Sequence, residues 1–164
     1  MNKDFLHNFA CWAAARAIQN PNLSGTRTGI IRQALDDINI YSYIEDPTKL
    51  DKYEDAHKDI VDKLLTKLEW KNQETRYGIA AKIIAIYFKV AIIIPGKAPL
   101  SIINGIYPPI DAYNLHKIKG FNNHKWTKLD KDTFDKIIGA LKSQLGNSSF
   151  IDFEAQNTLL TNKK

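Results

Sequence analysis

Apolar positions along the chain recur every three or four residues and rarely alternate, so the pattern predicts helices rather than strands. Phe5, Phe9, Trp12, Ala13 and Ala17 follow helical spacing behind Asp4, a good N-cap, and Asn20-Pro21-Asn22 ends that element. A second helix is expected after Thr26 or Thr28, with Ile30, Ile31, Ala34, Leu35 and Ile38 as its apolar stripe. Ile40 to Ile44 is β-branched and aromatic and reads as an extended connector. Asp46-Pro47 opens the next helix, which carries Tyr53, Ile60, Val61, Leu64, Leu65 and Leu68 on one face and acids with lysines on the other.

Lys71-Asn72-Gln73 breaks that pattern, and a helix over 75–93 follows that is apolar on nearly every side. A helix apolar all round belongs in the middle of a fold. Pro95-Gly96 closes it, and Lys97 to Asp111, with Pro99, Gly105, Pro108 and Pro109, forms a loop with one short helical turn. Asp111 stands as N-cap to a short helix that Gly120 ends. Asn122 to Thr127 is a polar loop. Asp130 or Asp132 caps a helix bearing Phe134, Ile137, Ile138, Leu141 and Leu145, stopped by Gly146, and Ser148 or Ser149 opens a last helix with Phe150, Ile151 and Phe153. Thr161 to Lys164 should fray. The expected fold is all-α: a compact orthogonal domain spanning 1–164, with about six to eight helices around the central apolar one.

Composition narrows the function classes. A chain of 164 residues with 44% apolar and 25% charged residues can bury its own core. The lone Cys11 excludes an internal disulfide, fits a reducing compartment and, beside Trp12, reads as a buried thiol. Met1-Asn2-Lys3-Asp4 lacks the apolar stretch of a signal peptide, and Lys82 and Lys89 interrupt the longest apolar run, so a cytoplasmic protein without a membrane span is expected. His7, His57, His116 and His124 show no metal-ligand pairing, and there is no Walker loop, Rossmann fingerprint or Gly-x-Ser-x-Gly elbow, so neither metal nor cofactor is expected.

Charge is unevenly spread. Asp36 to Asp62 holds nine acids against three lysines, whereas Lys71 to Lys131 holds ten basic residues against three acids. A basic half attracts a polyanion through counterion release. The same pattern also fits two halves that attract each other, or an acidic protein partner.

Two residues stand out chemically. Lys82 and Lys89 are the charged residues of the central helix, two turns apart on one side. A lysine against apolar surface has a lowered pKa, and its neutral amine can form a Schiff base; the plainer alternative is a stem that snorkels to water. Asp111 can cap its helix, take a proton from the lysine, or do both.

The stretch Tyr77-Gly78-Ile79-Ala80-Ala81-Lys82-Ile83-Ile84-Ala85, followed by Pro108-Pro109-Ile110-Asp111-Ala112-Tyr113, resembles the core of the helix-hairpin-helix DNA glycosylases, in particular the 8-oxoguanine branch. The resemblance covers about residues 77–115. It implies a glycine-containing hairpin at Gly78 whose amides hold a phosphate, a lysine nucleophile and lyase residue at Lys82 in the first turn of the helix, and an activating carboxylate at Asp111. No second glycine follows Gly78, and Lys82 and Asp111 stand 29 positions apart, which implies a loop insertion around Gly96 to Gly105. The pattern is also similar to that of small bacterial and phage-borne proteins.

On this reading the chain binds DNA and acts as a glycosylase or AP lyase. Arg76, Gly78, Lys89, Lys125 and Lys128 contact phosphates, and Trp126 offers a stacking surface between its flanking lysines. Trp12, Tyr87, Phe88, Tyr107 and Tyr113 are further aromatics, although rings at helical spacing generally belong to a core. Two alternatives remain: a glycosylase-like fold that binds DNA without chemistry, and a non-enzymatic helical module for a protein partner, as an immunity, defence or phage-associated factor.

Overall fold

The computed structural model describes residues 3–18 and 27–160, with side chains described over 4–18 and 27–156. The expected breaker Asn20-Pro21-Asn22, the cap Thr26 and the tail Thr161 to Lys164 lie outside them.

The fold is all-α, with no strand among the described residues. The described residues form nine α-helices in order: α1 (Lys3–Ala17), α2 (Thr28–Asp37), α3 (Ser42–Glu45), α4 (Tyr53–Leu68), α5 (Tyr77–Phe88), α6 (Leu100–Ile103), α7 (Ala112–Leu115), α8 (Lys131–Leu145) and α9 (Phe150–Leu160). Three of them are single turns, which is why the number exceeds that expected from periodicity. Short 3₁₀ turns at Pro47–Leu50, Gln73–Arg76 and Trp126–Lys128 join the longer elements.

α5 is the central element. Eleven of its residues are buried, Ile86 alone being partly open, and it packs against α1, α4 and α8. Its last turn widens into a π-helical segment, Lys89–Ile93, rather than continuing as one α-helix through residue 93. α4 packs on α5 with the stripe expected for it. Asp46 accepts from the Thr48 N–H and Asp130 from the Thr133 N–H as acid caps, and Ser149 opens α9 as expected, its Oγ accepting the Asp152 N–H while Asp152 accepts the Ser149 N–H. The starts of α2, α3, α4, α5 and α6, preceded by Arg27, Tyr41, Lys52, Arg76 and Pro99, carry no side-chain cap.

Two readings of the sequence need correction. Ile40 to Ile44 is not extended: turns from Asn39 to Tyr41 lead into α3, with Ile40 and Ile44 buried. Asn39 sits at φ 53°, a left-handed turn that reverses the chain after α2. In α1 the aromatic positions face outward, while Leu6, Ala10, Cys11, Ala14, Ala15 and Ile18 line the core. This face, with Ala10, Ala14 and Ala15 along its middle, is the one that packs on α5.

A polar clasp fastens α1 to α2 and α5. One ring nitrogen of His7, Nδ1, lies 2.8 Å from Tyr87 Oη, and the other lies 2.7 Å from Asp36 Oδ1. Cys11 Sγ sits 3.7 Å from that second nitrogen, and burial pushes the thiol up to about 12. A thiol so held stays protonated and serves packing, as the sequence suggests.

Candidate active site: a buried lysine facing an aspartate

Lys82 is the sixth residue of α5 and is only 8% exposed. Its neighbours on that side of the helix are Gly78, Ile79, Ala85 and Ile86, all without charge. Asp111 comes to it from the other side of the Gly105–Asp111 loop, where Ile106, Tyr107, Pro108, Pro109 and Ile110 are all buried. That loop is fixed by Asn114, whose side-chain amide donates to Pro109 O at 2.7 Å. Asp111 caps α7 through Oδ1, which accepts the Asn114 N–H at 2.9 Å. Its other oxygen, Oδ2, stands 3.8 Å from Lys82 Nζ. The same carboxylate therefore both caps and pairs.

Trp126 completes the site. Lys82 Nζ lies 4.3 Å from the centre of its indole ring, within cation–π range. The ring is placed there by Gly78. A Cβ at position 78 would stand 2.6 Å from Trp126 O and 2.8 Å from Leu129 Cβ, so only glycine lets the 126–129 turn lie against α5. The Gly78 N–H donates to Leu129 O at 3.1 Å and closes the contact.

Burial lowers the Lys82 pKa, and the Asp111 charge opposes that shift without reversing it. The ion-pair distance is loose, and one partner is a third exposed. Desolvation therefore dominates.

The remaining candidate residues divide. Gly78 lies within α5, not in a hairpin, and its amide is bonded to Leu129, so it is not available to a phosphate. Lys82 correspondingly sits in the second turn of its helix, not the first. Lys89 faces α9, where it donates to Glu154 at 2.7 Å, away from the Asp111 pairing of Lys82. Arg76 lies over the Trp70 ring, 5.5 Å from its centre, with one guanidinium nitrogen buried. Lys125 and Lys128 are exposed and flank half-buried Trp126.

Between Asp111 and Asp130 the chain carries Lys117, Lys119, Lys125 and Lys128 and no acid. Gln144 of α8 anchors this stretch, bonding the Lys119 N–H and Lys117 O. Part of the acidic side is answered from within: Lys131 bonds Asp62 at 2.6 Å, Lys142 bonds Glu54 at 2.9 Å, and Lys58 reaches both Glu54 and Asp135. Lys131 thus ties the basic region to the acidic one, and in the 112–129 stretch Lys119, Lys125 and Lys128 are exposed while Trp126 reaches Lys82.

Sequence reasoning missed the Trp126 cover and the reason for Gly78. A glycine inside an otherwise apolar helix was the available signal, since it marks a close backbone approach. Among the described residues no group of three or more His, Cys, Asp or Glu is arranged to hold a metal, and no helix is long and apolar enough to cross a membrane. No family model, curated protein or solved structure matches the chain.

Proposed function

We propose that this protein binds DNA and acts on damaged or base-free nucleotides through a Schiff base at Lys82. The observation that carries the reading is the buried amine 3.8 Å from the Asp111 carboxylate, with burial lowering its pKa. An amine that loses its proton readily is a nucleophile, and a carboxylate alongside is the acceptor for that proton.

In the glycosylase step Asp111 takes a proton from the Lys82 ammonium, and Nζ attacks C1′ of the nucleotide. The Nζ–C1′ bond forms as the N-glycosidic bond breaks; the base leaves with the bonding electrons and is protonated. Ring opening then gives the imine. At an abasic site the same amine condenses with the C1′ aldehyde and water departs. Lys125 and Lys128, exposed on either side of Trp126, supply phosphate contacts, with Lys117, Lys119 and exposed Tyr113 further along the same stretch. Only 10% of the Lys82 side chain is open to solvent, so a nucleotide reaches Nζ as the Trp126 ring gives way.

Borohydride trapping on DNA containing an abasic site tests the chemistry. The expected result is a covalent adduct with the wild type and none with Lys82→Met. No adduct with the wild type, under conditions where an established lyase is trapped, removes the enzymatic reading. Salt-sensitive DNA binding without an adduct would leave a DNA-binding fold; no DNA binding at all would leave the protein-partner module.

A further inference from the structure

α1 is apolar on two faces, and among the described residues only one of them is packed into the core. Opposite the core-facing residues, Phe5, Phe9 and Trp12 are 59%, 46% and 49% exposed. Their rings stack in a row along the helix, with centres 6.2 Å apart for Phe5–Phe9 and 5.6 Å for Phe9–Trp12. The three rings form one continuous apolar patch rather than scattered single residues, and the largest such patch on a monomer is often functional. Aromatic side chains bury about 150–250 Å² each, so three half-exposed rings leave roughly 300 Å² of apolar surface open on one helix. That area suits the centre of a specific interface, which takes about 800 Å² per partner with its polar rim.

The spacing of the ladder identifies the occupant. Positions 5, 9, 12 and 16 advance by four, three and four residues, the seam of a coiled coil, and lie within about 60° of one another around the helix. A seam of this kind reads the same in reverse. A two-fold axis between residues 10 and 11 brings Phe9 of one chain against Trp12 of the other, and Phe5 against Arg16. Asp4 lies in the first turn of α1 and Arg16 in the last, so antiparallel pairing also sets opposite charges near each other at both ends. A surface complementary to its own copy makes a closed, isologous pair.

We infer that the outer face of α1 is a homodimer interface in which two α1 helices pack antiparallel, each Phe9 layered on the Trp12 of the second copy. The site around Lys82 is not part of it, so this assignment stands apart from the DNA-repair reading.

Sedimentation of the intact chain against concentration is the test. The wild type should shift from 18.7 kDa toward twice that mass as concentration rises into the high micromolar range. Phe9→Glu and Trp12→Lys should each sediment as monomers with unchanged helical circular dichroism, because both positions point away from the core. Mixed in equal amounts, the two variants should associate again: one layer becomes Glu against Lys and the other stays Trp against Phe. A wild type that remains monomeric at millimolar concentration overturns the inference. So does a dimer that survives Phe9→Glu, or a mixture that stays monomeric while the wild type pairs. Binding of a monomeric wild type to phosphatidylcholine vesicles, abolished by Phe9→Glu, would assign the ladder to a membrane surface and overturn it equally.

Discussion

Replacing Lys82 separates what the amine does for the fold from what it does for chemistry. Its ammonium is buried with a loose carboxylate partner, and the Asp111 carboxylate left behind by a substitution is a third exposed and still accepts the Asn114 N–H, so no buried charge is stranded while the cost of burying the ammonium is removed. Lys82→Met should therefore melt at the wild-type temperature or above in calorimetry, while losing the borohydride adduct. A clear drop in melting temperature would make the lysine structural. Asp111 behaves differently because it also caps α7. Asp111→Ala should cost about 1 kcal/mol in urea unfolding through the lost cap, whereas Asp111→Asn keeps an acceptor and should cost less. In Asp111→Asn the opposing charge is gone, so the Lys82 pKa should fall further below its usual value, a shift that Nζ resonances can follow with pH. Both partners were legible in the sequence, Lys82 as a cation in an apolar helix and Asp111 as a cap after a double proline. Trp126 was not: a ring in a polar loop reads as a surface group until the contact across Gly78 is seen.

That contact makes a prediction about how α5 and the 126–129 turn are held together. Gly78→Ala inserts a methyl group 2.6 Å from a backbone carbonyl, and backbone yields less readily than a side chain. The substitution should destabilise by about 1–3 kcal/mol, as overpacking does, and should move Trp126 off Lys82, seen as a changed tryptophan emission. Gly139→Ala is the matched control. Gly139 is an exposed residue of α8 with nothing within 4 Å of a new Cβ, so alanine should stabilise by about 0.5–1 kcal/mol. If both substitutions act alike, the close approach at Gly78 is not what the glycine is for. The larger helices α4, α5 and α8 follow from their apolar spacing, and acid caps mark several starts. Periodicity alone misjudged α1, because both of its faces carry helical spacing and nothing local says which one meets α5. It also misjudged Ile40 to Ile44, where burial of Ile40 and Ile44 from a tight turn outweighs the preference of β-branched residues for strands.

The core joins α4, α5, α8 and the Gly105–Asp111 loop around one histidine, and acid sensitivity of the whole fold follows from it. His57 is 1% exposed and surrounded by rings: Phe134 stacks on it at 5.4 Å, and Tyr53, Tyr77 and Tyr107 close the other sides. Its Nε2 has no hydrogen-bond partner among the described residues. Burial, with the Lys58 and Lys131 charges adding to it against Glu54, lowers its pKa from 6.5 to about 3. The folded state therefore holds a neutral ring where the unfolded chain takes up a proton. Below pH 6.5 the unfolded state binds more protons, and stability should fall by about 1.4 kcal/mol per pH unit, levelling off only below the folded value near 3. Glu54 acts in the same direction but later: hydrogen bonds from Lys142 and Lys58 hold it near 2, so its contribution is lost only as pH drops below 4.5. The window from 6.5 to 4.5 isolates the histidine from Glu54. His57→Phe keeps a ring against Phe134 and removes an unpaired polar atom, so it should fold at neutral pH with little or no loss. Urea midpoints measured across that window should decline steeply in the wild type and stay nearly level in the variant. Parallel slopes in the two proteins would place the proton uptake elsewhere.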